Sequence, residues 1–485
     1  MEKIQNYIGG KFIGPQNGNF LDNVNPSTGK IYSLVPDSNE KDVDAAVLAA
    51  VAAYPEWSNT PASIRSEYLN KISQKILANL DELAMAESID NGKPLSLCKS
   101  LDIPRAATNF KFFAEAISQF HGEAFSTDQN SVMNALNYTT YSPLGVVVCI
   151  SPWNLPLYSL TWKIAPALAA GNTVIAKPSE LTPMTAFLFS KLVSEAGLPP
   201  GVLNILHGTG RGVGTPLITH PKVKAVSFTG STQTGRTIAS ATAADFKKVS
   251  LEMGGKNANI IFADADFEKA LKSTIRSSFL NQGQICLCGS RIFVERSIYN
   301  KFRDALVEET KKLKQGNPLS DGIDQGAVVS RNHMEKILSY IDLARAEGGK
   351  ILCGGKREML SGEQAEGFFI QPTLIEGLPF SCRTNQEEIF GPVATLIPFE
   401  NEEELIAMVN STKHGLSASV WTTNITRGLE LPKKIEAGVV WVNTWMLRDL
   451  RTPFGGVKES GLGREGGMHA LEFFSEIKNI CVGLS

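Results

Sequence analysis

At 485 residues the chain exceeds the roughly 250 to 300 at which a single core stops growing, so two or three domains are expected. Hydrophobic content of 43%, charged content of 20% and a net charge of -2 fit an ordinary globular protein and exclude nucleic acid or an anionic membrane as the default partner. The seven cysteines form no C-x-x-C pair and the six histidines are scattered, so reduced thiols and no metal site are expected.

Residues 42–57 and 65–91 read as helices, with Val43, Ala46, Val47 and Val51 on one stripe of the first. From Pro143 the texture changes to short apolar runs at 146–150, 174–176, 203–206 and 223–228. Helical stretches at 157–170, 184–196 and 232–244 alternate with them, which is the pattern of a doubly wound parallel sheet. A second α/β series begins near 258–262 and continues through 291–294 and 439–442, so two Rossmann-like layers are expected. Residues 126–141 and 473–482 alternate polar and apolar types without a strong core face, and each reads as an edge strand. The amino terminus lacks the apolar core of a secretory signal, and no stretch approaches the ~20 apolar residues that cross a bilayer, which gives a cytoplasmic expectation.

The run 279–288 sets Cys286 in a Gly- and Gln-rich turn after an amphipathic helical pattern, where a thiol can serve as a nucleophile. Upstream, Glu252 precedes the pair Gly254-Gly255, and Asn154 follows Pro152-Trp153 just after an apolar strand-like run. Each has an ordinary alternative: a small core cysteine, a glycine turn, a helix cap. Phe228-Thr229-Gly230-Ser231 with Gly235 puts two glycines around a helix start after a strand, where backbone N–H groups face a pyrophosphate. The glycine-rich run 208–214 looks more like a phosphate loop but follows the wrong context. Lys177, Ser179 and Glu180 stand at the carboxyl end of the 174–176 strand; Glu180 either accepts from ribose hydroxyls, which favours NAD over NADP, or forms a surface ion pair with Lys177.

Cys286, Glu252 and Asn154 in this order, with Glu388-Ile389-Phe390-Gly391-Pro392 and Pro453-Phe454-Gly455-Gly456, resemble the aldehyde dehydrogenase superfamily from about Ile8 to Val482. The resemblance implies an α/β fold with an NAD-binding domain (1–123 and 143–253), a catalytic domain (254–455) and a small β appendage (124–142 and 468–485) that pairs subunits into a homodimer or homotetramer. It implies Cys286 as nucleophile, Glu252 as the base for thioester hydrolysis, and Asn154 with the Cys286 N–H as oxyanion donors, the base demanding a desolvated carboxyl. NAD contacts would come from Ile150, Ser151, Trp153, Lys177, Ser179, Glu180, Gly210, Gly214, Phe228, Thr229, Gly230, Ser231 and Gly235, with Glu388 and Phe390 at the nicotinamide end. The 208–214 run as a whole resembles a connecting turn in the family.

Detail beyond the family motifs is most similar to the 2-aminomuconic and 2-hydroxymuconic semialdehyde dehydrogenases, whose substrates carry a remote carboxylate. That similarity implies Arg105 and Arg448 as carboxylate contacts, Trp162 as a tunnel wall and Asn154 as a second substrate contact, with Arg451 open to reading as a structural ion pair. Betaine aldehyde or a broad range of aldehydes is the alternative, and a non-catalytic scaffold a remote one. Acylation of coenzyme A is disfavoured by the presence of Glu252.

Overall fold

The computed structural model of the protein describes residues 1–129 and 133–484. Its first sheet has eight strands and a parallel centre. Val146–Ile150 lies between Thr173–Lys177 and Val223–Thr229; Leu203–Ile205 extends one side and Lys248–Glu252 the other. Helices cover both faces, so these strands are near-continuous apolar runs rather than alternating ones. The chain steps outward from Val146–Ile150 to Leu203–Ile205, then returns to set Val223–Thr229 on the opposite flank. Strand order therefore reverses between Ile150 and Phe228, and a crevice opens there at the carboxyl ends.

The edges of this sheet come from distant sequence. The hairpin Asn6–Ile8 with Lys11–Ile13 caps one side, and the two-residue strand Gly461–Leu462 pairs antiparallel with Lys248–Glu252 on the other. The second sheet has seven strands, all between Lys350–Cys353 and Val439–Val442 in the order of the sheet, with only the outer Lys350–Cys353 antiparallel. The carboxyl end of the first sheet meets the amino end of the second. Glu252 terminates a strand of the first, while Asn257 immediately precedes Ala258–Ile261 and Cys286 lies just ahead of Arg291–Glu295 in the second.

The two weakly patterned segments form one antiparallel sheet, Ala124–Gln129, Met133–Pro143 and Ser475–Leu484, in register from Ser475 opposite Pro143 to Leu484 opposite Asn134. Residues 130–132 of the first expected edge strand, and residue 485 of the expected appendage, lie outside the described residues. The helix expected over 65–91 is two helices, Ala62–Ala78 and Leu80–Asn91. Asn79 divides them: at ψ 26° it leaves the helical path, and its amide side chain bonds back to the Lys75 carbonyl at 2.9 Å. Among the described residues no helix is long and apolar enough to cross a membrane.

Candidate active site

The helix Phe267–Phe279 is capped by Asp266 and ends in a tight reversal in which Asn281 and Gln282 adopt φ of 53° and 56°. Gly283 follows at φ +69°, where a Cβ would lie 2.1 Å from the Gly391 carbonyl oxygen, so only glycine fits. This turn delivers Cys286 to the seam between the sheets. Its carbonyls are then fixed by side chains: Asn257 Nδ2 donates to Cys286 O at 2.6 Å and to Cys288 O at 3.0 Å, and Trp445 Nε1 donates to Leu287 O at 2.9 Å. Asn257 is held in turn by the Ser417 N–H at 3.0 Å. Sequence reasoning singled out neither clamp; the only signal for Asn257 was its position after Gly254-Gly255-Lys256. Burial pushes the Cys286 thiol up, Glu388 and Glu252 add to this, and Arg448 opposes it.

Asn154 is buried, and its Nδ2 donates to the Gln284 carbonyl at 2.8 Å, leaving one amide proton for another acceptor. Its loop is tied down by a polar cluster that the sequence reading did not identify. Lys93 Nζ and Asn281 Nδ2 donate to the Asn154 carbonyl at 3.0 and 2.9 Å, and Asn91 Nδ2 donates to the Trp153 carbonyl at 2.9 Å. Lys93 also bridges the buried carboxylates of Glu87 and Asp102, and Glu87 accepts from the Leu157 N–H at 3.3 Å. Lys93→Met removes the cation from between two buried carboxylates; urea unfolding should show about 3–5 kcal/mol of lost stability. A change below about 1 kcal/mol would mean that the cluster is not holding this loop.

Glu252 is 3% exposed, and neither carboxyl oxygen has a hydrogen-bond partner. Burial raises its pKa well above the usual carboxylate range; Glu465 adds to the effect, and Lys163, Arg464 and Arg448 oppose it. Glu465 itself is paired with Lys163 at 2.6 Å and accepts from Ser227 at 3.2 Å. The turn carrying Gly455 makes room for the base: a Cβ there would lie 2.6 Å from Glu252 Oε1.

Two clefts join at the strand reversal, sharing Pro152, Trp153, Thr229, Gly230 and Ser231. The outer one is further lined by Ile150, Ser151, Lys177, Ser179, Glu180, Gly210, Gly214 and Phe228, and the inner one by Asn154, Cys286, Glu388 and Phe390. Their empty volumes, about 890 and 820 Å³ counted to the open mouths, lie within the range of small-molecule sites. Ser231 caps the helix Thr232–Ala243 by accepting from the Thr234 N–H, and both residues line the outer cleft. Gly230 is required by the crowding of Phe228, whose ring would lie 2.4 Å from an added Cβ. Gly235 is not a wall of either cleft: it packs under the helix, where Met253 Sδ would lie 2.8 Å from a Cβ. Of the 208–214 run, Gly210–Gly214 is a helical turn capped by Thr209 that leads into Thr215–Thr219; the N–H groups of Gly212, Val213 and Gly214 bond to Thr209, and Gly210 and Gly214 line the outer cleft.

At the inner end Glu388 accepts from the Gly255 N–H at 3.0 Å, and burial pushes its carboxyl up to about 7. Phe390 holds φ +62°, its carbonyl receives His333 Nε2 at 2.7 Å, and Trp153 meets both rings edge-on at 5.0 and 5.2 Å. His333 is a further cleft residue that sequence reasoning passed over as one of the scattered histidines.

Arg105 lies near the start of the helix Ile103–Ala116, and Arg448 follows the strand Val439–Val442. They converge on Trp162, at 5.6 and 5.2 Å from its ring centroid. Their hydrogen bonds go to Asn109 and Tyr158, not to carboxylates, and Arg105 Nη2 is buried without a partner. The Trp162 indole N–H is likewise buried and unpartnered. Arg448 also covers Phe454 at 3.8 Å, and Phe454 packs in the same apolar cluster as Cys286. Arg451 is different: it is exposed and paired with Asp449 at 2.6 Å, away from this cluster.

A doubly wound sheet with a cleft at its strand reversal, joined at a seam to a second sheet, is the layout of a nucleotide-binding α/β enzyme. The model of the Aldehyde dehydrogenase family matches residues 12–480, and the chain belongs to that family. It is 49% identical over 481 residues to a 2-aminomuconic semialdehyde dehydrogenase of Danio rerio, covering 99% of this chain and 98% of that one. It is 45% identical over 486 residues to a 2-hydroxymuconic semialdehyde dehydrogenase of Pseudomonas sp. (strain CF600), with full coverage of both. A betaine aldehyde dehydrogenase of Staphylococcus aureus, solved in complex with NAD+, superposes with a TM-score of 0.95 at 38% identity over 98% of this chain and 94% of that one.

Proposed function

We propose that the protein oxidises a carboxylate-bearing semialdehyde, 2-aminomuconic or 2-hydroxymuconic 6-semialdehyde, to the dicarboxylic acid with NAD. The observation that carries the substrate class is the pair of guanidiniums, Arg105 and Arg448, meeting beside Trp162 with no salt bridge to a carboxylate among the described residues. A carboxylate satisfies two such forks, whereas a cationic aldehyde such as betaine aldehyde is repelled by them.

NAD fits the residues present. The buried Ser151 hydroxyl faces the outer cleft without a partner, the capped helix start offers free N–H groups, and Glu180 suits ribose hydroxyls while it repels a 2′-phosphate. Ile150, Trp153, Lys177, Ser179 and Thr229 would line the adenosine and pyrophosphate portion, and Glu388 and Phe390 the nicotinamide riboside. When bound, the oxidised cofactor supplies the acceptor for the hydride of the aldehyde carbon.

The chain's own residues perform the rest. The Cys286 thiol first loses its proton to solvent; the thiolate adds to the aldehyde carbon, and the carbonyl π electrons move to the oxygen, which takes the negative charge. The free amide proton of Asn154 and the N–H of Cys286 point donors at that oxyanion, contacts worth ~3–4 kcal/mol each in comparable enzymes. Loss of hydride leaves a thioester on Cys286. Glu252 then removes a proton from the attacking water, the acid departs and the thiol is restored. Asn154 also reaches the 2-amino or 2-hydroxy group of the substrate. The protein acts in the cytoplasm as a homo-oligomer, with the sheet of Ala124–Gln129, Met133–Pro143 and Ser475–Leu484 as its pairing element; the exposed Leu136, Ile477 and Val482 support that reading.

Steady-state NADH production across 2-aminomuconic, 2-hydroxymuconic, betaine and aliphatic aldehydes tests the proposal, which fails if the muconic semialdehydes are not preferred. Arg448→Ala should raise KM for them about tenfold or more, the order for losing a charged hydrogen bond, and change KM for hexanal little. Equal increases on both would remove the carboxylate reading.

A further inference from the structure

Three donors without acceptors among the described residues converge beside the helix Pro156–Ala169, and one of them belongs to a residue so far named only as a hydrogen-bond partner of Arg448. Tyr158 is 5% exposed and stands one helical turn before Trp162 on the same face. Its ring lies 5.1 Å from the Arg105 guanidinium carbon, and its hydroxyl oxygen accepts from Arg448 Nη1 at 3.2 Å. Like Trp162 it touches both arginines, and it does so with a hydroxyl as well as a ring.

The backbone locks it there. Asn109 Nδ2 donates to the Tyr158 carbonyl at 3.1 Å, and Asn109 Oδ1 accepts from Arg105 Nε at 3.0 Å, so one amide sets Arg105 against the helix carrying the phenol. Because the hydroxyl oxygen is already an acceptor, its proton is left over, with no acceptor among the described residues. Together with the buried Arg105 Nη2 and the Trp162 indole N–H, this gives a cluster that presents donors only. Such a cluster is matched by an anion with several lone pairs, and a carboxylate oxygen between the guanidiniums lies within the phenol's reach.

We infer that Tyr158 is a specificity-determining residue, its hydroxyl donating to the remote carboxylate of the substrate while its oxygen and ring hold Arg448 and Arg105 at a fixed spacing. The inference rests on the carboxylate-semialdehyde reading above. It accounts for a buried phenol at this position: an occupant without acceptors would leave the Tyr158 proton, the Trp162 indole N–H and Arg105 Nη2 unpaired.

Tyr158→Phe retains the ring over Arg105 and removes only the hydroxyl. With 2-hydroxymuconic 6-semialdehyde its KM should rise about tenfold, the order for one hydrogen bond to a charged group, with kcat within about twofold. With hexanal, which has the same chain length and no carboxylate, KM should stay within about twofold of the wild type. Tyr158→Leu should extend the loss on the semialdehyde by freeing Arg105 and again spare hexanal. An unchanged KM in Tyr158→Phe, or an equal rise on both aldehydes, overturns the role of Tyr158 alone. A wild-type enzyme that does not prefer the semialdehyde over hexanal overturns both this role and the reading on which it rests.

Discussion

Cys286→Ala is expected to lower NADH production by roughly a thousandfold or more on every aldehyde, because among the described residues Cys286 is the thiol that lines the inner cleft. Cys288 does not substitute for it. That thiol is buried in the apolar cluster with Ile285, Leu287 and Trp445, burial pushes its pKa up to about 12, and its carbonyl is pinned by Asn257. NAD binding, followed by calorimetry, should survive in Cys286→Ala because the outer cleft is built from other residues. Retention of more than a tenth of the wild-type turnover would remove the covalent mechanism. The clamps on the turn make the prediction sharp: Asn257 and Trp445 hold the carbonyls of three successive residues, so a shortened side chain at 286 leaves the backbone amide donor in position.

Glu252→Gln separates the two halves of the reaction. Acylation should still release one equivalent of NADH per site as a burst, and the following steady state should fall by about 10² to 10⁴, the range for removing a positioned general base. The pH profile supplies the sign. Burial first, and Glu465 second, raise the Glu252 carboxyl well above its ordinary range, so its basic form is gained only as pH climbs past that range. The wild-type steady-state rate should therefore increase with pH along this limb, and the limb should vanish in Glu252→Gln while the burst remains. A variant with neither a burst nor a loss of turnover would assign hydrolysis to another group.

Much of the architecture was legible because parallel strands covered on both faces must be continuous apolar runs. Val146–Ile150 matched its expected run residue for residue, Thr173–Lys177 extends one residue beyond its run at each end, and Val223–Thr229 one residue at its carboxyl end. The helix over 65–91 was misjudged as continuous because apolar periodicity does not register a single residue leaving the helical path, and Asn79 does so with only one side-chain hydrogen bond. Gly461–Leu462 could not be read at all: two residues carry no period, and their partner lies some two hundred positions away. The candidate chemistry shows the same division. Cys286, Glu252 and Asn154 stood in recognisable local motifs, whereas Asn257, Lys93, His333 and Tyr158 sit in stretches whose composition suggests nothing beyond helix, turn or core.

The sequence by itself determined which groups are available and in what local setting: a thiol in a glycine-rich turn, an acid before paired glycines, an amide after a strand, and two doubly wound series to carry them. Tertiary structure alone decided which arginines are left without a carboxylate, since Arg451 turns to Asp449 while Arg105 and Arg448 close on Trp162 from elements more than three hundred residues apart. Local pattern is written by backbone sterics and by burial on one face, both short-range in the chain. The balance of charge in a pocket depends on every element that reaches it, and that is fixed only when the two sheets meet.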